Sequence, residues 1–151
     1  MNHSFVRTCF ALLVSLFFIS SVSATTVKGH IDRVSGGIDD FFVSGWACQT
    51  GYNQSINIHL YAGGAAGAGG SYVDSGRAAN SSENGVASSC STSFNRHRFK
   101  HYFSAEDAYK HRGKTPYIHG ISVAGTQNKT IHRSGNFSFP SFPTSKVTGH
   151  I

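Results

Sequence analysis

The stretch Ile38-Asp39-Asp40-Phe41-Phe42-Val43-Ser44-Gly45-Trp46-Ala47-Cys48 decides how the chain is read. Side chains two apart in a strand share a face, so Phe42, Ser44, Trp46 and Cys48 point one way while Phe41, Val43 and Ala47 point the other. Both faces carry apolar residues, which predicts a strand covered on both sides. The single Trp also falls beside a cysteine, and an indole packed against a disulfide is one way to centre a small β-sandwich.

Working outward, the cysteines are Cys9, Cys48 and Cys90. Cys9 belongs to an opening segment with Arg7, an apolar run over 10–19 and the small-residue site Val22-Ser23-Ala24. That is the pattern of a secretory signal over 1–24, too short and too early for a membrane anchor. Its removal leaves 151 − 24 = 127 residues and two cysteines. In an oxidising compartment these most simply pair, so a Cys48 to Cys90 bridge is expected, restricting the unfolded chain by about 4 kcal/mol. The expected localisation is periplasmic or extracellular, with no transmembrane anchor.

Composition agrees with a β protein: 17 Gly, 12 Phe, 6 Tyr, one Met and 13% charged residues, with few of the strong helix formers. Alternation and turn residues predict strands over 25–34, 41–48, 56–60, 71–79, 94–103, 116–124 and 130–139. Ser35-Gly36-Gly37 is expected to turn the first strand, and the third is expected to form a hairpin with the second. The low-complexity run Gly63 to Gly70 reads as a mobile loop, because glycine loses the most backbone entropy on ordering. One short helix is expected after Ser104, an N-cap followed by Glu106 and Asp107, ending at Gly113. Pro140 and Pro143 cannot continue a central strand, so 141–151 reads as a flexible tail. Seven strands in one domain over 25–140 predict an all-β, immunoglobulin-like β-sandwich.

With Gly45-Trp46-Ala47-Cys48, a second cysteine ahead of 94–103, and His119-Gly120-Ile121-Ser122 followed by Asn128 and Ser134-Gly135, the chain resembles the small β-sandwich modules of exported bacterial proteins. That resemblance covers nearly all of 27–140. It rests on core and turn residues, so it implies a fold and little chemistry.

Charge supplies the main candidate site. The formal net charge is +6, or +5 once Arg7 leaves with the signal, a balance that suits anionic partners and also plain solubility. Arg96, Arg98, Lys100 and Tyr102 alternate along one predicted strand face, with Phe99 and Phe103 packing inside. Lys110, Arg112 and Lys114 follow on the helix side. Arginines here would grip phosphate or carboxylate in pairs of hydrogen bonds. The competing reading is an edge strand whose charges block pairing with other sheets. The expected partner is an anionic glycan or an acidic protein, with no nucleic-acid role expected. Tyr52, Tyr61, Tyr72 and Tyr109 are candidates for stacking on sugar rings, although tyrosine is common in strands anyway.

Other chemistry finds less support. His59 with His119, or His111 with His119 and His132, would need the fold to bring them together to hold a metal, and no His-x-His or His-Glu-x-x-His spacing occurs. Asp39-Asp40 with Asp32 reads as a turn or a calcium site. Seven acidic residues show no readable glycosidase pair, and there is no Gly-x-Ser-x-Gly elbow. No catalytic residue, metal or other cofactor is therefore expected. The function expected is a non-enzymatic recognition module. The alternatives are a periplasmic inhibitor or immunity-type protein, plugging a toxin or lytic enzyme with Gly63 to Gly70 or the basic segment, and a small hydrolase.

Overall fold

The computed structural model describes residues 25–37 and 40–141; the expected signal segment and nearly all of the expected tail lie outside them. Strands β1 (Val27–Gly37), β2 (Asp40–Gln49) and β5 (Arg98–Tyr102) form one antiparallel sheet in the order β1-β2-β5. Strands β3 (Asn57–Ala62), β4 (Ser71–Arg77), β6 (Pro116–Gly120) and β7 (Lys129–Thr130) form the other, ordered β4-β3-β6-β7. This is an all-β sandwich of seven strands. Relative to the constant-type immunoglobulin arrangement, the fourth strand pairs with the third instead of the fifth. Among the described residues no helix is long and apolar enough to cross a membrane.

Alternation builds the core. Phe41, Val43 and Ala47 of β2 meet Ile58, Leu60 and Ala62 of β3, Phe99 of β5 and Ile118 of β6, all buried. Gly45 is required inside that face, because a Cβ there would collide with the His30 carbonyl and come within 2.9 Å of the Phe99 ring. Phe139 closes one end, 1% exposed and edge-on to Phe103, although its stretch is irregular.

The opposite face of β2 is also covered, as its apolar residues require, but not by the second sheet. Cys48 bonds Cys90, the C-cap of helix α1 (Asn84–Ser89), over a separation of 42 residues. With Val86 and half-buried Trp46 they form a small cluster separate from the main core. The expectation that indole and disulfide centre the sandwich is therefore corrected: they moor a helix to its outside.

Several local expectations are also corrected. There are two short helices instead of one. Helix α1 lacks a side-chain cap bond and any first-turn acid, so it is held chiefly by distant partners: the burial of Val86 and Ala87, the bridge, and the Arg98 guanidinium on its N-cap residue Glu83, and such tertiary contacts leave no local signal. Helix α2 (Ala105–Lys110) follows its sequence cues: the Ser104 hydroxyl accepts from the Asp107 amide at 3.0 Å, and Gly113 leaves the helical region with φ 73°. Ser35-Gly36-Gly37 does not turn; it continues β1, with Ser35 paired to Phe42, Gly36 to Phe41 and Gly37 to Asp40. β2 and β3 form no hairpin, since the chain crosses between sheets after Gln49. β5 begins only at Arg98, and β6 and β7 are shorter than read. The Gly63 to Gly70 loop has a defined course, its turns made by positive φ at Gly63, Gly67 and Gly69 and by Ala68 and Gly70 amides donating to the Ala65 carbonyl.

Candidate functional site: an arginine cleft and the faces beside it

β5 is an edge strand, and its alternation turns Arg98, Lys100 and Tyr102 outward while Phe99 is buried. Arg98 is fully engaged. Its guanidinium pairs with both Glu83 oxygens at 2.9 Å and with Asp32, and these hold it above its ordinary pKa, Glu83 first. The same pairing holds the Glu83 carboxyl below its usual range. Lys100 lies 4.1 Å from the centre of the Phe42 ring and 4.8 Å from that of Tyr102, with Asp40 at 3.9 Å. Arg33 covers the same Phe42 ring from 5.6 Å. These cations explain how an outward-facing phenylalanine stays only 6% exposed.

The remaining members of the basic run go elsewhere. Lys110 and Arg112 are exposed at and just past the end of α2, where Arg112 folds back over Tyr109 at 4.4 Å. Lys114 follows Gly113, its backbone bonded to Phe139 and its stem near Gly63. Among the described residues no hydrogen bond, ion pair or ring contact joins these three to Arg98, Lys100 or Tyr102. The basic run is therefore not knit into one bonded network.

Arg96 is not on the strand, because β5 starts two residues later. It lines an open cleft of about 390 Å³ with Asn53, Gln54, Ser55, Arg77, Ala79 and Phe94. Three segments build this cleft: the β2–β3 crossing, the end of β4, and the run leading into β5. They are tied to one another. The Ser55 hydroxyl donates to the Arg96 carbonyl at 2.8 Å, Arg96 Nε donates to the Ala79 carbonyl at 2.9 Å, and Asn53 accepts from Thr92. Arg96 is thereby held by its Nε, and among the described residues its two terminal nitrogens make no hydrogen bond or ion pair. Arg77 reaches the Ser55 carbonyl at 3.5 Å. Among the described residues no carboxylate comes within ion-pair distance of either arginine. Two exposed guanidiniums lining one concave cleft without a counter-charge among the described residues give it a positive potential that favours an anion. Sequence reading missed Arg77, Asn53, Gln54 and Phe94, which lie far apart in the chain and carry no motif.

The histidine expectations sort clearly. His59 and His119 are cross-strand neighbours, but His119 Nε2 accepts from the Ala66 amide at 3.0 Å and faces the Thr130 hydroxyl at 3.0 Å. A nitrogen so occupied has no lone pair for a metal. His111 is buried against Phe139, and His132 packs on His30, so the second set does not converge. No group of three possible metal ligands occurs among the described residues. Asp32 is engaged by His30 and Arg98, and Asp39 lies outside the described residues.

Around His59 the outer face of the four-stranded sheet is aromatic. Tyr61 and Tyr72 meet edge to face at 5.7 Å, His59 stands edge-on to Tyr72 at 5.8 Å, and Tyr72 is 54% exposed. Of the tyrosines singled out for sugar stacking, these two are brought together. Compared with family models, with curated proteins and with solved structures, the chain shows no significant match to any of them.

Proposed function

We propose that this protein is an exported, non-enzymatic recognition module that binds an acidic partner, an anionic glycan in preference to an acidic protein. The observation that carries the reading is the pair Arg77 and Arg96, uncompensated by any described carboxylate, on one cleft of about 390 Å³. A cleft of that size accommodates one carboxylate-bearing unit, with the arginines as paired donors, Phe94 as an apolar wall and the Asn53 and Gln54 amides as polar partners. Within the basic run the grip therefore centres on Arg96, with Lys100, Lys110, Arg112 and Lys114 adding attraction at longer range and Arg98 holding the framework through its ion pairs. Export is supported by the disulfide, which persists in oxidising compartments.

The test is titration with polygalacturonate and polyglutamate, followed by calorimetry, at low and high salt. The double change Arg77→Gln with Arg96→Gln should weaken the interaction about a hundredfold, since two charge-assisted contacts are lost. Lys110→Gln with Arg112→Gln should alter mainly the salt dependence. Equal affinity of the parent and the Arg77/Arg96 double variant for both polymers would overturn the reading.

A further inference from the structure

The cleft does not end at Arg77. In the β3–β4 ladder Asn57 pairs with Arg77, His59 with Ser75 and Tyr61 with Tyr72, so these pairs fall on one face of the sheet. The register shift between Leu60 and Tyr61 admits Val73 as an extra residue and returns Tyr72 to the outer face beside Tyr61. From Asn57 to Tyr61 is four residues of strand, a distance of roughly 14 Å. One side of the sandwich thus carries a cationic cleft at one end and a cluster of three rings at the other, in line along the strands.

We infer that this face is a linear binding track for an extended acidic polysaccharide, with a carboxylate-bearing sugar in the Arg77/Arg96 cleft and a sugar further along the same chain, beyond the reach of a dimer, seated on Tyr61 and Tyr72. The inference rests on the acidic-partner reading and adds the shape and class of the ligand. A sugar ring has an apolar CH face and a hydroxyl rim, which suits tyrosine, an apolar ring with a polar tip. The two tyrosines stand at 76° to one another, so the corner they make offers the face of one ring and the edge of the other. The three rings contact one another, so their positions are set before a ligand arrives, which lowers the ordering cost of binding. Along the ladder this outer face carries Asn57, His59, Tyr61, Tyr72, Ser75 and Arg77, with no aliphatic side chain. Its apolar surface is all ring with polar tips, and a hydroxylated chain finds both stacking and hydrogen-bond partners on it.

The experiment compares galacturonate dimer with hexamer on the full exported chain, by calorimetry and by amide chemical shifts. The hexamer should bind about tenfold tighter than the dimer or better, because the second seat is filled within one molecule. Tyr72→Ser, at an exposed position that leaves the core alone, and Tyr61→Ala with Tyr72→Ser should bring the hexamer toward the dimer and leave the dimer unchanged. Arg77→Gln with Arg96→Gln should remove both. Equal dimer and hexamer affinity, or tyrosine changes without effect on the hexamer, would overturn the track while the arginine cleft stands. Arginine-dependent binding of polyglutamate with no oligogalacturonate binding would overturn the glycan and leave the acidic-partner reading. Failure of every polyanion would refute both.

Discussion

Acidification below about pH 6.5 should unfold this protein unusually steeply, and the reason is four histidines. Burial is the first cause in each case, lowering the pKa of His97, His101, His111 and His119. Weak opposing pulls come from the Phe94 backbone at His97, from Asp74 at His101 and from Asp107 at His111, where Lys110 and Lys114 reinforce the burial. No side-chain hydrogen bond reaches either ring nitrogen of His97 or His111 among the described residues. Above the unfolded value of about 6.5 these groups are neutral in both states, and the stability they permit is complete. Below it the unfolded chain takes up protons that the folded chain refuses, so stability falls with falling pH until the lowered folded values are passed. Each such proton contributes about 1.36 kcal/mol per pH unit, so four set a limiting slope of about 5.4 and His97 with His111 alone about 2.7. These slopes are ceilings, reached where the pH lies well below the unfolded value and well above the folded ones, and they compare with a total stability of about 5–15 kcal/mol. Urea denaturation followed by Trp46 fluorescence, at intervals from about pH 7.5 to 5, measures the slope directly, in a window above that of the Glu83 carboxyl. Replacing both His97 and His111 by Leu should reduce the slope by up to two protons. A parent slope of one proton or less, or a double variant as steep as the parent, would refute the reasoning.

Other expectations concern the frame. Phe99→Ala, emptying a site 3% exposed between the sheets, should cost about 3–5 kcal/mol in equilibrium unfolding. Cys48→Ala with Cys90→Ala should cost about 4 kcal/mol in the chain-entropy account, yet leave the β-sheet circular dichroism intact, since the bridge lies outside the main core. Ser104→Ala removes the N-cap bond of α2 and should cost about 1 kcal/mol, read as a lowered Tm. Gly45→Ala should be worse than its one methyl suggests, because the new Cβ meets the His30 carbonyl and the Phe99 ring; a variant as stable as the parent would show that β1 and β5 can move aside.

What could be read from the chain was what acts locally. The two-faced pattern of β2, the alternation Ile56-Ile58-Leu60, the Ser104 cap and the Cys48 to Cys90 pairing each follow from neighbours or from an inventory of two sulfurs. What could not be read depends on partners distant in sequence. The Cys90 helix has no side-chain bond at its N-cap, so its existence depends on what it packs against. The hairpin expected between β2 and β3 failed because adjacency in sequence does not choose between pairing and crossing to the other sheet. The glycine loop was read as mobile from backbone entropy, but its turns use the positive φ that glycine allows and an Ala66 amide bonded to His119. The basic run was legible as charge and illegible as a site: Asp32 and Glu83, 66 and 15 residues from Arg98, neutralise one member, while Arg77 joins another.

The outside position of the disulfide divides labour within the molecule. The segment it moors, between β4 and β5, supplies Phe94 and Arg96 to the cleft wall, while the sheets owe their cohesion to residues on the other side of β2. The cleft wall and the core between the sheets are therefore built from separate sets of positions. Side chains at 54, 77 and 96 can accordingly be varied to reshape the cleft without entering the core between the sheets.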